Sequence, residues 1–161
     1  HRGQVRDDDS RYFDHPKEVA NIIIRELGVR NDWRLVVTAL LHDILEDTYL
    51  LSERSIRRLF GKKVALWVKL LSKVPKEEYH ERLHACGIWE VLLVKLCDRL
   101  HNLSTCGEWE SSRKRRYVDE TRQWILPIAI ATDARLHAAL LSRVSALQTE
   151  LDAAQSPPSS P

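Results

Sequence analysis

The sequence holds no methionine, only five glycines and six prolines in 161 residues, and three cysteines, Cys86, Cys97 and Cys106. Scarce glycine, with no sustained alternation of apolar and polar residues, argues against strands joined by hairpins. An odd number of cysteines without CxxC spacing argues against a disulfide framework and a thiolate zinc site, and points to a reducing cytoplasm. No apolar run is long enough to span a bilayer and no signal-peptide pattern is present, so a soluble protein is expected. Neither sign of charge dominates. The 25 basic and 23 acidic residues leave a formal +2, which gives no electrostatic bias toward nucleic acid, so an anionic ligand must be held locally. Because the sequence opens on His1 and has no Met, the natural start and part of a first helix are expected upstream.

What is present reads as an all-α chain of about eight helices, a single domain over residues 1–153 followed by a disordered Ser- and Pro-rich tail, 154–161. After a helical stub at 1–5 comes a polar loop carrying Asp7, Asp8 and Asp9. Pro16 suits the first position of the next helix and Glu18 the third, making His15 the expected cap. Gly28 stops that helix, and Asp32 caps another that runs to about Asp47. Ser52 opens a helix to Phe60, Gly61 ends it, and a further one continues to Lys73. Tyr117, Trp124 and Ile128 belong to a helix with a kink expected at Pro127. Asp133 caps the last helix, whose stripe of Leu136, Leu140, Val144, Leu147 and Leu151 is suited to core packing or to a partner.

Two stretches carry chemistry. In LLHDILEDT (Leu40–Thr48), His42, Asp43, Glu46 and Asp47 crowd the end of an apolar helical run. Asp43, Glu46 and Asp47 share one face and repel one another, and a helix C-terminus disfavours acidic residues further. A divalent cation would resolve both conflicts; a solvated acidic helix end is the alternative, opposed by the apolar neighbours Leu40, Leu41, Ile44 and Leu45. In VLLVKLCDRLHNLSTC (Val91–Cys106), Leu93, Leu96, Cys97, Leu100 and Leu103 form a buried face. Asp98, Asn102 and Thr105 lie outside it, on a polar stripe that either lines a pocket or edges solvent. His101 beside the stripe reads as structural or as a partner to a ligand. His80 and His84 have a metal-compatible i, i+4 spacing, but their mixed-charge setting favours an exposed helix.

Together HRGQVR (His1–Arg6), YFDHP (Tyr12–Pro16), LLHDILEDT, FGKKVALWV (Phe60–Val68) and LVKLCDRLHNLST (Leu93–Thr105) resemble the HD hydrolase domain of the RelA/SpoT family, and within it the small single-domain alarmone hydrolases. The resemblance implies a helical HD bundle that binds Mn²⁺, with other divalent transition metals compatible, and hydrolyses the 3′-pyrophosphate of ppGpp and pppGpp to give GDP or GTP. It implies His15, His42, Asp43 and Asp98 as metal ligands and Glu46 and Asp47 as the catalytic acidic pair. Arg6, Tyr12, Asn102 and Thr105 would contact the nucleotide. Where the family has a Lys and a small Gly-containing turn after Arg6, this chain has Asp7–Asp9, which predicts weaker binding of a highly phosphorylated substrate. An HD phosphatase of another nucleotide, such as the 2′-phosphate of NADPH, and a non-catalytic nucleotide-binding module are the alternatives. Nothing implies nucleic acid or a membrane.

Overall fold

The structure, a computed structural model, describes residues 11–47, 51–73 and 77–154. Arg6, the acidic loop Asp7–Asp9, the stub at 1–5 and the tail beyond Ala154 lie outside the described residues. Among those described there is no strand element, and helices form seven continuous runs besides the four-residue α3, in keeping with the eight or so expected. The first is α1 (Asp14–Asn21), continued by a π-type turn at Ile22–Glu26. Next come α2 (Trp33–Leu41) and the short α3 (Ile44–Asp47), then α4 (Glu53–Leu71), α5 (Tyr79–Ala85) and α6 (Trp89–Ser104). A run of α7 (Ser111–Glu120), a second π-type turn (Thr121–Ile125) and α8 (Leu126–Thr132) precedes α9 (Ala134–Ala153). Gly61 interrupts α4: its backbone (φ 88, ψ 170) lies outside helical geometry and separates two helical segments across a kink, as expected of a glycine there.

Local sequence accounts for most boundaries. The Asp32 carboxylate accepts from Arg34 N and Leu35 N, and Asp133 from Arg135 N and Leu136 N, each cap contributing about 1 kcal/mol. Ser52 Oγ accepts from Ser55 N at 3.2 Å. Gly28, at φ 75, ends the first run, with Val29 N bonded back to Ile23 O across the widened last turn. Pro127 sits in the first turn of α8, and the kink falls just ahead of it. Having no N–H, Pro127 leaves an upstream carbonyl without its donor, and the chain widens there, with Leu126 N reaching Thr121 O.

Two boundaries differ from expectation. His15 is not a cap: a turn at Arg11–Asp14, closed by Asp14 N to Arg11 O at 2.9 Å, starts the helix earlier, so His15 is its second residue and Pro16 its third. The helix expected to run to Asp47 stops at Leu41. His42 Nδ1 takes the Ala39 carbonyl at 2.8 Å, competing with the next backbone donor, and α3 restarts after Asp43.

The core is built around α6, which packs against α1, α2, α4, α8 and α9. It is buried on nearly every side from Leu93 to Leu100, polar residues included, rather than on the one apolar face expected. Trp67 and Leu71 of α4, Ile23 after α1 and Leu35 of α2 join it there. All five residues of the α9 stripe are buried against this core, each worth roughly 1.5–3 kcal/mol of transfer energy, which settles α9 on the domain. A second cluster of Ile44, Ile56, Val64, Ala65 and Val68 seats α3 on α4. No described helix is long and apolar enough to cross a membrane.

Candidate metal centre

The packing of α1 and α2 on α6 brings four side chains from distant parts of the sequence to one point. His15, His42 and Asp98 are 2 %, 3 % and 3 % exposed, and each offers one ligand atom within 4.8 Å of the others. His15 Nε2 lies 3.1 Å from Asp98 Oδ1, and His42 Nε2 lies 3.1 Å from Asp43 Oδ2. The crossed distances, His15 Nε2 to Asp43 Oδ2 and His42 Nε2 to Asp98 Oδ1, are both 3.7 Å. Asp43 completes the square from the more open side.

Each of the three buried groups is turned inward by a second bond. His42 Nδ1–H donates to the Ala39 carbonyl, which turns Nε2 toward the carboxylates. His15 Nδ1 shares a 2.9 Å hydrogen bond with His101 Nδ1. Asp98 Oδ2 accepts from Lys95 Nζ at 2.8 Å and Oδ1 from Asn102 Nδ2 at 2.6 Å. Tyr12 Oη donates to Asp43 Oδ2 at 3.4 Å from the rim.

The electrostatics fit a cation. Burial resists a charge on His42, yet the Asp43 and Asp98 carboxylates outweigh it and push the imidazole up to about 10. Burial would raise Asp98, but Lys95 and the two histidines hold it well below the usual carboxylate range; His42 likewise holds Asp43 below it against burial. His42 Nε2 is buried and has no hydrogen-bond partner among the described residues, although two carboxylate oxygens lie within 3.7 Å. A buried imidazole nitrogen facing two carboxylate oxygens that draw positive charge to it is a setting a metal ion satisfies. Two imidazoles with two carboxylates suit Mn²⁺, Fe²⁺, Zn²⁺ or Ni²⁺.

The other expected residues fall at different distances from this point. The Glu46 carboxylate is held at the end of α3 by Lys73, whose backbone N–H donates to Oε1 at 2.7 Å and whose Nζ lies 3.9 Å from Oε2. Asp47 ends α3, but its side chain lies outside the described residues, as does Arg6. Thr105 Oγ1 donates to the His101 carbonyl at 3.1 Å, just beyond the C-terminus of α6. His80 and His84 form no centre: the His80 ring stacks on Trp124, and His84 Nε2 bonds the Trp124 carbonyl at 2.8 Å.

Sequence reasoning missed a basic cavity beside Asp98. It has a volume of about 380 Å³ and is lined by Lys73, Tyr79, His80, Lys95, Arg99, Tyr117 and Glu120. Lys95 and Arg99 are buried cations, 3 % and 2 % exposed. Asp98 raises Lys95 above its usual value in spite of burial, and the Arg99 guanidinium lies 3.8 Å from the centre of the Tyr117 ring. The sequence offers only the spacing, a Lys and an Arg one turn apart bracketing Asp98; that they are buried, and so too costly unless they pair or face a ligand, follows from the packing around α6.

The chain matches the HD domain family model over residues 1–133. It is 33 % identical over 141 residues to the bifunctional (p)ppGpp synthase/hydrolase SpoT of Escherichia coli K12, covering 80 % of this chain and 20 % of that protein. It is 34 % identical, with the same coverage, to a guanosine-3′,5′-bis(diphosphate) 3′-pyrophosphohydrolase of Haemophilus influenzae. The chain thus spans about a fifth of the length of these curated relatives. Among solved structures, a metazoan ortholog of SpoT described as hydrolysing ppGpp superposes with a TM-score of 0.78 at 26 % identity, covering 94 % of this chain and 89 % of that one. A Listeria monocytogenes protein, at 23 % identity and a TM-score of 0.62, shares the fold, with 86 % and 98 % of the two chains covered. By the match over residues 1–133, the chain belongs to the HD domain family.

Proposed function

We propose that the chain is a metal-dependent hydrolase that removes the 3′-pyrophosphate from ppGpp and pppGpp, giving GDP or GTP and pyrophosphate, with Mn²⁺ held by His15, His42, Asp43 and Asp98. The observation that carries this reading is the contact between the two sites: Asp98 accepts from Lys95, and Lys95 also lines the basic cavity. A scissile phosphorus at the centre therefore has a cation-lined space beside it for the rest of a pyrophosphate. When bound, the cation supplies Lewis acidity to a phosphoryl oxygen and to water.

The remaining work falls to side chains. Glu46, with Asp47 beside it, orients a water and takes its proton as the water oxygen bonds to phosphorus. The bond from phosphorus to the ribose 3′ oxygen breaks, and that oxygen takes up a proton as GDP or GTP leaves. Lys73, Lys95 and Arg99 balance the charge of the departing pyrophosphate, and Tyr117 walls the cavity. Asn102, Thr105 and Tyr12 face the nucleoside, and Arg6 stacks on its base. No covalent enzyme intermediate is needed. Three free cysteines agree with the cytoplasmic setting proposed for it.

The names of the relatives support this substrate: the Haemophilus influenzae protein is a 3′-pyrophosphohydrolase of the guanosine alarmone, and the metazoan structure is of a ppGpp hydrolase. The test is to incubate Mn²⁺-loaded protein with ppGpp, NADPH and a panel of nucleoside phosphates and to identify the products. Pyrophosphate with GDP is the expected result. Orthophosphate released from NADPH or another nucleotide, with ppGpp untouched, would replace the alarmone by that substrate.

A further inference from the structure

His101 follows Asp98 by three residues on α6, on the face turned toward α1. Its Nδ1 lies 2.9 Å from His15 Nδ1, with ring centroids 4.8 Å apart and planes inclined at 51°. One proton serves that bond. His15 can present a lone pair at Nε2, the atom 3.1 Å from Asp98, only if the proton sits on its own Nδ1. His101 Nδ1 must then be the acceptor, with the His101 proton on Nε2. The Ala39 carbonyl does the same for His42, but a carbonyl can only accept, whereas a histidine accepts in one tautomer alone.

We propose that His101 is a positioning residue that fixes the tautomer and ring orientation of His15; the role rests on the metal centre proposed above. The fold places this residue where a side chain is needed. Among the described residues the partner of His15 Nδ1 is not a backbone carbonyl but the imidazole of the neighbouring helix. The other side of His101 forms part of the wall of a cavity of about 640 Å³ between α1, α6 and α9, with Glu18, Ile22, Thr105 and Arg143 around it. His101 is thus the layer between the centre and an open groove, and losing its acceptor leaves His15 free to take the other tautomer.

The test is calorimetric titration of metal-free protein with Mn²⁺ alone, for wild type, His101→Asn and His101→Leu, alongside the thermal midpoint of each metal-free protein. The Asn amide oxygen stands about where Nδ1 stood and still accepts; Leu fills the space and cannot. Leu should weaken Mn²⁺ binding about 10- to 100-fold with Asn within about threefold of wild type, the usual worth of a partner to a ligating histidine. Metal-free midpoints should stay alike. His101→Ala, which opens toward the cavity instead of crowding it, takes the place of the Leu variant if that protein does not fold. Wild-type affinity in the Leu or Ala protein would overturn the role. Equal loss in Asn and Leu would also overturn it, because the imidazole itself would then be required. A wild-type protein that takes up no Mn²⁺ would overturn the metal centre, and the role with it.

Discussion

Lys95 stands three residues before Asp98 on the most buried helix and is itself 3 % exposed, so its charge is balanced by one 2.8 Å bond to the Asp98 carboxylate. That bond occupies Oδ2 and leaves Oδ1 facing the two histidines. Replacing Lys95 by Met strips a partner from a buried carboxylate, which costs about 3 kcal/mol, the low end for breaking a buried pair because His15 and His42 remain beside it. Denaturant unfolding of the metal-free protein should show this loss. Adding Asp98→Asn should recover most of it, and a double variant no more stable than Lys95→Met would mean that lost packing, not charge, was the cause. Glu46 offers a different test. Its carboxylate sits on the Lys73 backbone N–H, away from the proposed ligands His15, His42, Asp43 and Asp98, so Glu46→Gln should keep the metal while turnover falls by about 10² to 10⁴. Loss of metal along with activity would make Glu46 a ligand. The crowded stretch from His42 to Asp47 stands out in the sequence because like charges on one helix face call for a cation; the burial of Lys95 and Arg99 does not, because it depends on helices elsewhere in the chain.

Helix boundaries show where local sequence is enough and where it is not. Asp32, Ser52 and Asp133 cap helices as their residue type predicts, and the Asp133 cap also binds Arg135 Nη2 at 2.8 Å. The Arg135 guanidinium and two backbone N–H groups hold the Asp133 carboxyl below its ordinary value of 3.8. A carboxyl depressed in the folded state stabilises above its ordinary value, and that contribution disappears as pH falls below 3.8 through the folded-state value. Asp133→Ala should therefore cost about 1 kcal/mol at neutral pH, a drop in thermal midpoint of roughly 2–4 °C. The gap between variant and wild type should narrow once the pH is taken below 3.8. A gap that is unchanged in acid would show that the cap acts without its charge. The early start of α1 and the break after Leu41 were hidden for the opposite reason: the Arg11–Asp14 turn and the His42 bond to Ala39 outcompete the propensities that a linear reading weighs.

For the molecule as a whole, the centre joins three packed helices through one point, so a cation there should act as a staple on the entire fold. A ligand bound to the native state alone stabilises by about 2.7 kcal/mol at a hundred times its dissociation constant. Mn²⁺ at that excess should raise the thermal midpoint of wild type, with no rise for His15→Ala; an equal rise in both would place the ion elsewhere. The amino-acid sequence by itself determined the all-helical character, most of the caps and stops, and the two motif stretches. These are properties of residues within a turn or two of one another, where periodicity and side-chain chemistry act directly. Only tertiary structure decided that α6 is buried on nearly every side from Leu93 to Leu100, that Lys95 of the basic cavity bonds Asp98, and that His101 sits behind His15. Those facts depend on contacts such as His15 to His101, 86 residues apart in the chain. Their geometry is set by how helix faces pack, and hydrophobic burial specifies which face turns inward without specifying which polar group it carries along.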